Sequence, residues 1–157
     1  MRFFRQISVA PPALHEALRI IRTTSGYTEV GVDLAQLISE DRIRVHPTLE
    51  DRAHAGLLGT ITLGPEAAQA SPLSLAQTLV HEHFHLHQNP LLKTVSFWTG
   101  VLSHTPTMRR YERPAYQAAF NFLEAVKQAH PLLADEAEAE QAAIRQVFEE
   151  AFGEALV

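Results

Sequence analysis

No cysteine occurs among the 157 residues. Disulfides are therefore excluded, and so is a thiolate metal site; any metal must be held by nitrogen and oxygen ligands. Long apolar runs are missing as well. No stretch approaches the length that crosses a bilayer, and the opening MRFFRQISVAPP carries charge without the apolar segment of a secretory signal. A cytoplasmic protein with no membrane partner is the expectation. Basic residues are the minority charge: 13 Lys and Arg against 18 Asp and Glu leave a net charge of −5 with His neutral. That balance disfavours a nucleic-acid surface. No internal repeat is visible, and no linker is rich enough in Gly, Pro or Ser to divide the chain. One domain over residues 1–157 is expected, with an upper part (1–88) and a lower helical part (89–157).

Histidine is what the chain has in excess. There are nine, and four of them, His81, His83, His85 and His87, fall between positions 81 and 87. The surrounding pattern predicts a helix. Ser71-Pro72 is a capping hydroxyl followed by proline at the first helical position, and Asn89-Pro90 closes the segment near Gln88. Before it, Pro11-Pro12 open a helix with the stripe Leu14, Leu18, Ile21, and a second helix covers about Glu29 to Ser39. Arg42–His46 and Leu57–Leu63 read as strands, the latter with Gly59 as a bulge. After an irregular stretch, helices are predicted from Met108 or Pro114 to Gln128 and from Ala134 to Ala155. This order indicates an α+β fold with a small antiparallel or mixed sheet packed on helices.

Residues 81–85 read HEHFH and fit H-E-x-x-H, a signature of zinc metalloproteases. Residues four apart share a helix face, so His81 and His85 can grip one ion. Glu82 stands about 100° around the helix from His81, too far to join that grip, and suits a general base acting on a water instead. A catalytic zinc takes three protein ligands and keeps a position open. The third ligand must come from elsewhere: Glu112, at the start of a later helix, is the leading candidate, with His104 and Glu124 as alternatives. The bland account of Glu112 is a surface carboxylate beside Arg109, Arg110 and Arg113. His83 and His87 form a second pair four apart, but they fall on the helix's apolar arc and no glutamate follows His83. Structural histidines are expected there rather than a second metal site. Phe97 and Trp98 read as core.

With HEHFH and the E-x-x-A-Y pattern of Glu112, Ala115 and Tyr116, residues 57–128 resemble the gluzincin metallopeptidases, and in size the minimal single-domain minigluzincins. The resemblance implies a zincin-like fold, Zn2+ on His81, His85 and Glu112, and Glu82 as general base. It implies hydrolysis of extended peptides or flexible protein segments, by a protease that is active or latent. It also implies that the strand before the metal helix pairs with substrate, through Gly59, Thr60 and Ile61. Several gluzincins have an aspartate where Tyr116 stands; a tyrosine hydroxyl would support the imidazole less strongly. Tyr111, Tyr116, His104 and Arg113 are candidates to stabilise an oxyanion. The rival account is a non-catalytic zinc-binding module that holds a partner segment. The acidic helix after His130 is either a cover for the site or a helix packed on the domain. Oligomeric state is not legible.

Overall fold

The computed structural model describes residues 11–56, 58–88 and 106–156, with side chains from 109 onward in the last stretch. Two helices come first. α1 (Leu14–Thr23) buries Leu14, Ala17, Ile20 and Ile21; α2 (Thr28–Ser39) buries Gly31 and Leu34. Three short strands follow, β1 (Ile43–Val45), β2 (Ala53–Ala55) and β3 (Ile61–Leu63). The sheet order is β1-β3-β2, with β3 parallel to β1 and antiparallel to β2. The fold is α+β with a small mixed sheet, as the element pattern indicates.

The strand expected over Leu57–Leu63 is shorter than its pattern. Gly59 adopts φ +74°, a left-handed conformation that suits glycine and ends an extended run. Its N–H donates to Gly56 O at 3.1 Å, closing a turn rather than forming a bulge. The segment ahead of the turn supplies β2, which sequence reading missed because Ala-His-Ala carries none of the β-branched or aromatic signal.

After a single-turn helix α3 (Pro65–Ala68), α4 (Pro72–Leu86) carries the HEHFH segment. Ser71 caps it, accepting from Ser74 N–H at 3.2 Å, with Pro72 in the first turn as expected. Every residue from Leu73 to Val80 is buried, so this helix runs through the interior. Arg52, next to β2, ties sheet to helix. Its Nε donates to Thr78 Oγ1 at 2.8 Å and its guanidinium also reaches Ser74 Oγ and Glu66. Gly64 lets this segment close up, since a Cβ there would stand 2.3 Å from Asp51 O.

α5 (Pro106–Ala129) starts earlier than predicted and contains Pro114. A 3-10 turn (Pro131–Leu133) leads into α6 (Ala134–Phe152), where Gly153 in the left-handed region ends the helix short of Ala155. One cluster of buried side chains joins α1, α2, β3, α4, α5 and α6. From α5 it takes Ala119, Phe120, Phe122, Leu123 and Val126; from α6 it takes Ala137, Ile144 and Phe148. Sequence spacing puts Ile144, Val147, Phe148 and Phe152 on one apolar side of α6, but Val147 is 48% exposed. Three carboxylates of α6 have partners other than the histidines: Glu136 meets Ser71, Glu138 meets Lys127 and Glu140 meets Gln77. α6 is thus packed as part of the core. Of the two expectations for this acidic helix, packing on the domain is what these contacts match.

Phe148 is fully buried. Phe148→Ala should destabilise the fold by about 3–5 kcal/mol, and truncation at Ala134 should unfold the chain. Urea unfolding followed by circular dichroism measures both; a truncated chain with a wild-type midpoint would remove α6 from the core.

Candidate metal centre

The last turns of α4 leave the apolar core without leaving the interior. Val80 is buried, and so are Glu82 and His85 further on. A helix turning about 100° per residue brings residues 81 and 85 to one face, and here that face meets α5. His81 Nε2 and His85 Nε2 lie 3.0 Å apart. Glu112 Oε2, from α5, lies 3.2 Å from each. Three donor atoms from two helices thus converge on one point. Tetrahedral coordination with bonds of about 2.0–2.1 Å sets donor atoms about 3.3 Å apart, so the observed triangle already has the size of a metal site.

Tautomer and charge agree with that geometry. Gln88 Oε1 accepts from His85 Nδ1–H at 2.6 Å, and Gln88 Nε2 donates to Tyr111 O at 2.8 Å. With the proton on Nδ1, the lone pair of His85 Nε2 faces the centre, the arrangement that metal-bound histidines use. Tyr111 stacks on the His85 ring, centroids 4.1 Å apart, and Tyr116 meets the His81 ring edge-on at 4.7 Å. Burial pushes the Glu112 carboxyl up, but hydrogen bonds from His81 and His85 outweigh it and hold the group at about 2. A proton competes with an ion for that lone pair: burial pulls His85 down, but the hydrogen bond that a protonated Nε2 donates to Glu112 and the charges of Glu112 and Glu82 carry it above its ordinary value. The cluster therefore already attracts positive charge.

Glu82 is 6% exposed, and its carboxylate has no hydrogen bond or ion pair among the described residues. Burial drives its pKa up, against the pull of His81 and His85. A buried carboxylate without a partner is costly. Its position beside three convergent ligands fits a centre that carries a cation and a water. The donor set, two imidazoles and one carboxylate without sulfur, suits zinc.

The other sequence candidates are placed as follows. His104, Phe97 and Trp98 lie outside the described residues. Glu124 pairs with Lys127 at 2.7 Å and does not approach the histidines. Glu112 is not a surface partner of its neighbouring arginines: Arg109 and Arg113 pair with Glu154. Tyr116 touches His81 through its ring, and the hydrogen-bonded support of His85 comes from Gln88, which sequence reading treated only as the helix end. Burial, with the charges of Glu112 and Glu82, pushes the Tyr116 phenol up to about 12, and Tyr111 rises for the same reasons. Both stay protonated at neutral pH and can donate. Ile61 sits in the central strand, its N–H donating to Arg42 O at 2.9 Å, while Gly59 and Thr60 belong to the β2–β3 turn. The strand with an outer edge next to α4 is β2, carrying His54, close enough to Glu82 to act on its charge. His83 is half-buried and His87 exposed, so the apolar arc of α4 does not extend to His87.

Compared with known proteins, the chain matches no family model, no curated protein and no solved structure.

Two outcomes follow from this geometry. Gln88→Ala should weaken binding of a divalent ion at this candidate centre by about tenfold to a hundredfold without unfolding the chain; competition with a chromogenic chelator reads the constant, and an unchanged value would separate Gln88 from the centre. In chelator-treated protein, Glu82→Gln should melt higher than wild type at neutral pH. A raised carboxyl pKa means that the folded state binds the proton more tightly, so the stability that Glu82 itself contributes is lost as pH climbs from the usual carboxylate range through the raised value. The gap between the two melting temperatures should widen over that range; a variant that melts lower throughout would show that Glu82 has a stabilising partner.

Proposed function

We propose that this protein is a zinc-dependent metallopeptidase of gluzincin type, with a zincin-like arrangement of metal helix and edge strand. The observation that carries the reading is the triangle of 3.0, 3.2 and 3.2 Å between His81 Nε2, His85 Nε2 and Glu112 Oε2, built on H-E-x-x-H with Glu82 buried beside it. His81, His85 and Glu112 would hold Zn2+. When bound, the ion supplies Lewis acidity, which acidifies a water and polarises a carbonyl oxygen.

The remaining work falls to side chains of the chain itself. Glu82 takes the proton of the attacking water and passes it to the leaving amine; a carboxyl raised by burial suits both halves of that transfer. Tyr111 or Tyr116 donates to the oxygen on which negative charge develops. An extended peptide or flexible segment adds to the outer edge of β2 by backbone hydrogen bonding, in place of the Gly59–Ile61 segment expected from sequence. A Glu82 without a hydrogen-bond partner among the described residues favours catalysis over the binding-module account, since holding a partner segment requires no buried general base.

The test is a paired substitution. Glu82→Gln should keep zinc at this centre and lose hydrolysis of an unstructured protein substrate by more than about a hundredfold. Glu112→Ala should lose the zinc itself. Mass-spectrometric metal content and fluorogenic cleavage measure the two. Zinc retained by wild type with no cleavage of any unfolded substrate would leave the binding module; zinc retained by Glu112→Ala would overturn the ligand set.

A further inference from the structure

Histidines two positions apart on a helix are separated by about 200°, so His83 and His87 face nearly opposite to His81 and His85. On that side α4 meets α2, and α2 presents Asp33. His83 Nε2 lies 3.0 Å from Asp33 Oδ2. The rings of His83 and His87 are 4.3 Å apart between centroids and tilted by 37°. One ligand-capable atom each from Asp33, His83 and His87 falls within 4.8 Å of the other two.

His87 is set up for a ligand. Its Nδ1 lies 2.9 Å from the backbone oxygen of His83. A carbonyl oxygen can only accept, so Nδ1 carries the proton and Nε2 keeps its lone pair. Donation of the other ring N–H to a carbonyl is how metal-binding histidines are oriented. Asp33 is half-exposed and His83 largely covered, at 51% and 13%. One histidine is thus anchored in the fold, while the carboxylate and the second imidazole open to solvent.

We propose that Asp33, His83 and His87 form a second metal site, for an exchangeable divalent ion of the Zn2+, Ni2+ or Cu2+ kind. Two imidazoles and a carboxylate are the donors that such borderline ions prefer over Ca2+ or Mg2+. Its open positions face solvent, so water completes the coordination and the ion leaves readily. Because the ligands come from α2 and α4, the ion clips the second helix to the metal helix, and it stabilises the folded chain in proportion to its free concentration. The site is independent of the first: it shares no ligand with it, and binding needs no catalysis.

Zn2+ added to chelator-treated full chain, labelled with 15N in its histidine rings, reads the two sites separately. The His83 and His87 ring resonances should shift as Zn2+ is titrated, over one equivalent beyond whatever the His81 and His85 resonances report as bound at the first centre. His87→Ala and Asp33→Ala, both at exposed positions, should each bind one equivalent less than wild type by calorimetry and lose the matching rise in melting temperature. Circular dichroism confirms that both variants are folded. His83 and His87 resonances that stay fixed up to millimolar Zn2+, or variant isotherms that superimpose on wild type, would overturn the proposal. Failure of the His81, His85 and Glu112 centre would appear instead in the other pair of resonances.

Discussion

Helix α4 is buried along its whole circumference from Leu73 to Val80, and two of the polar residues that follow, Glu82 and His85, stay buried. Glu82 and His85 are carried into the interior by the same turns that bury the leucines before them. Polar groups placed there lose their hydration and must be compensated by other groups of the protein or by a bound ion. Glu112 from α5 meets both imidazoles, and Gln88 from the next turn takes the far nitrogen of His85. Glu82 is left over. The positions of α5 and of the β2 edge around α4 can be understood as answers to this one difficulty.

The two histidines of the candidate centre are held by different physics. His85 is fixed by hydrogen bonding, through Gln88 to the backbone of Tyr111. His81 is fixed by packing: Phe152 meets Phe148 at 4.9 Å, Phe148 meets Tyr116 at 5.6 Å, and Tyr116 meets the His81 ring. A line of rings therefore runs from the terminal helix to the centre, and α6 contributes through shape rather than through its charges. Buried Ala115 and Ala119 leave room on α5 for the close approach to α4 that this arrangement needs.

How far the site is legible in sequence depends on the distance over which its parts are set. His81, Glu82 and His85 are fixed by helical geometry within five residues, and the Ser71-Pro72 cap fixes the helix. Glu112 has to be brought from 27 positions away; the alanine and tyrosine after it mark it out, but only the fold sets it against His81 and His85 rather than against its neighbouring arginines. β2 left no pattern, because three residues are too few to show alternation and alanine has weak strand preference. Gln88 was hidden by its role at a helix end. Asp33 has no motif at all; it becomes a neighbour of His83 only through the packing of α2 on α4.

Ligand spacing along the chain also bears on how the protein folds. His81 and His85 become neighbours as soon as one helical turn forms, an event of about 0.1–1 μs. Glu112 arrives only when α5 docks, which requires bringing together parts of the chain 27 positions apart, at a cost in chain entropy. An ion captured early would therefore be held by two imidazoles, and would gain its carboxylate at the moment tertiary structure forms. Its residence time on the chain becomes a clock for docking: short while α5 is loose, long once Oε2 is in place. Fast-mixing experiments with a spectroscopically visible ion such as Co2+ would see the assembly of this domain from its centre outward.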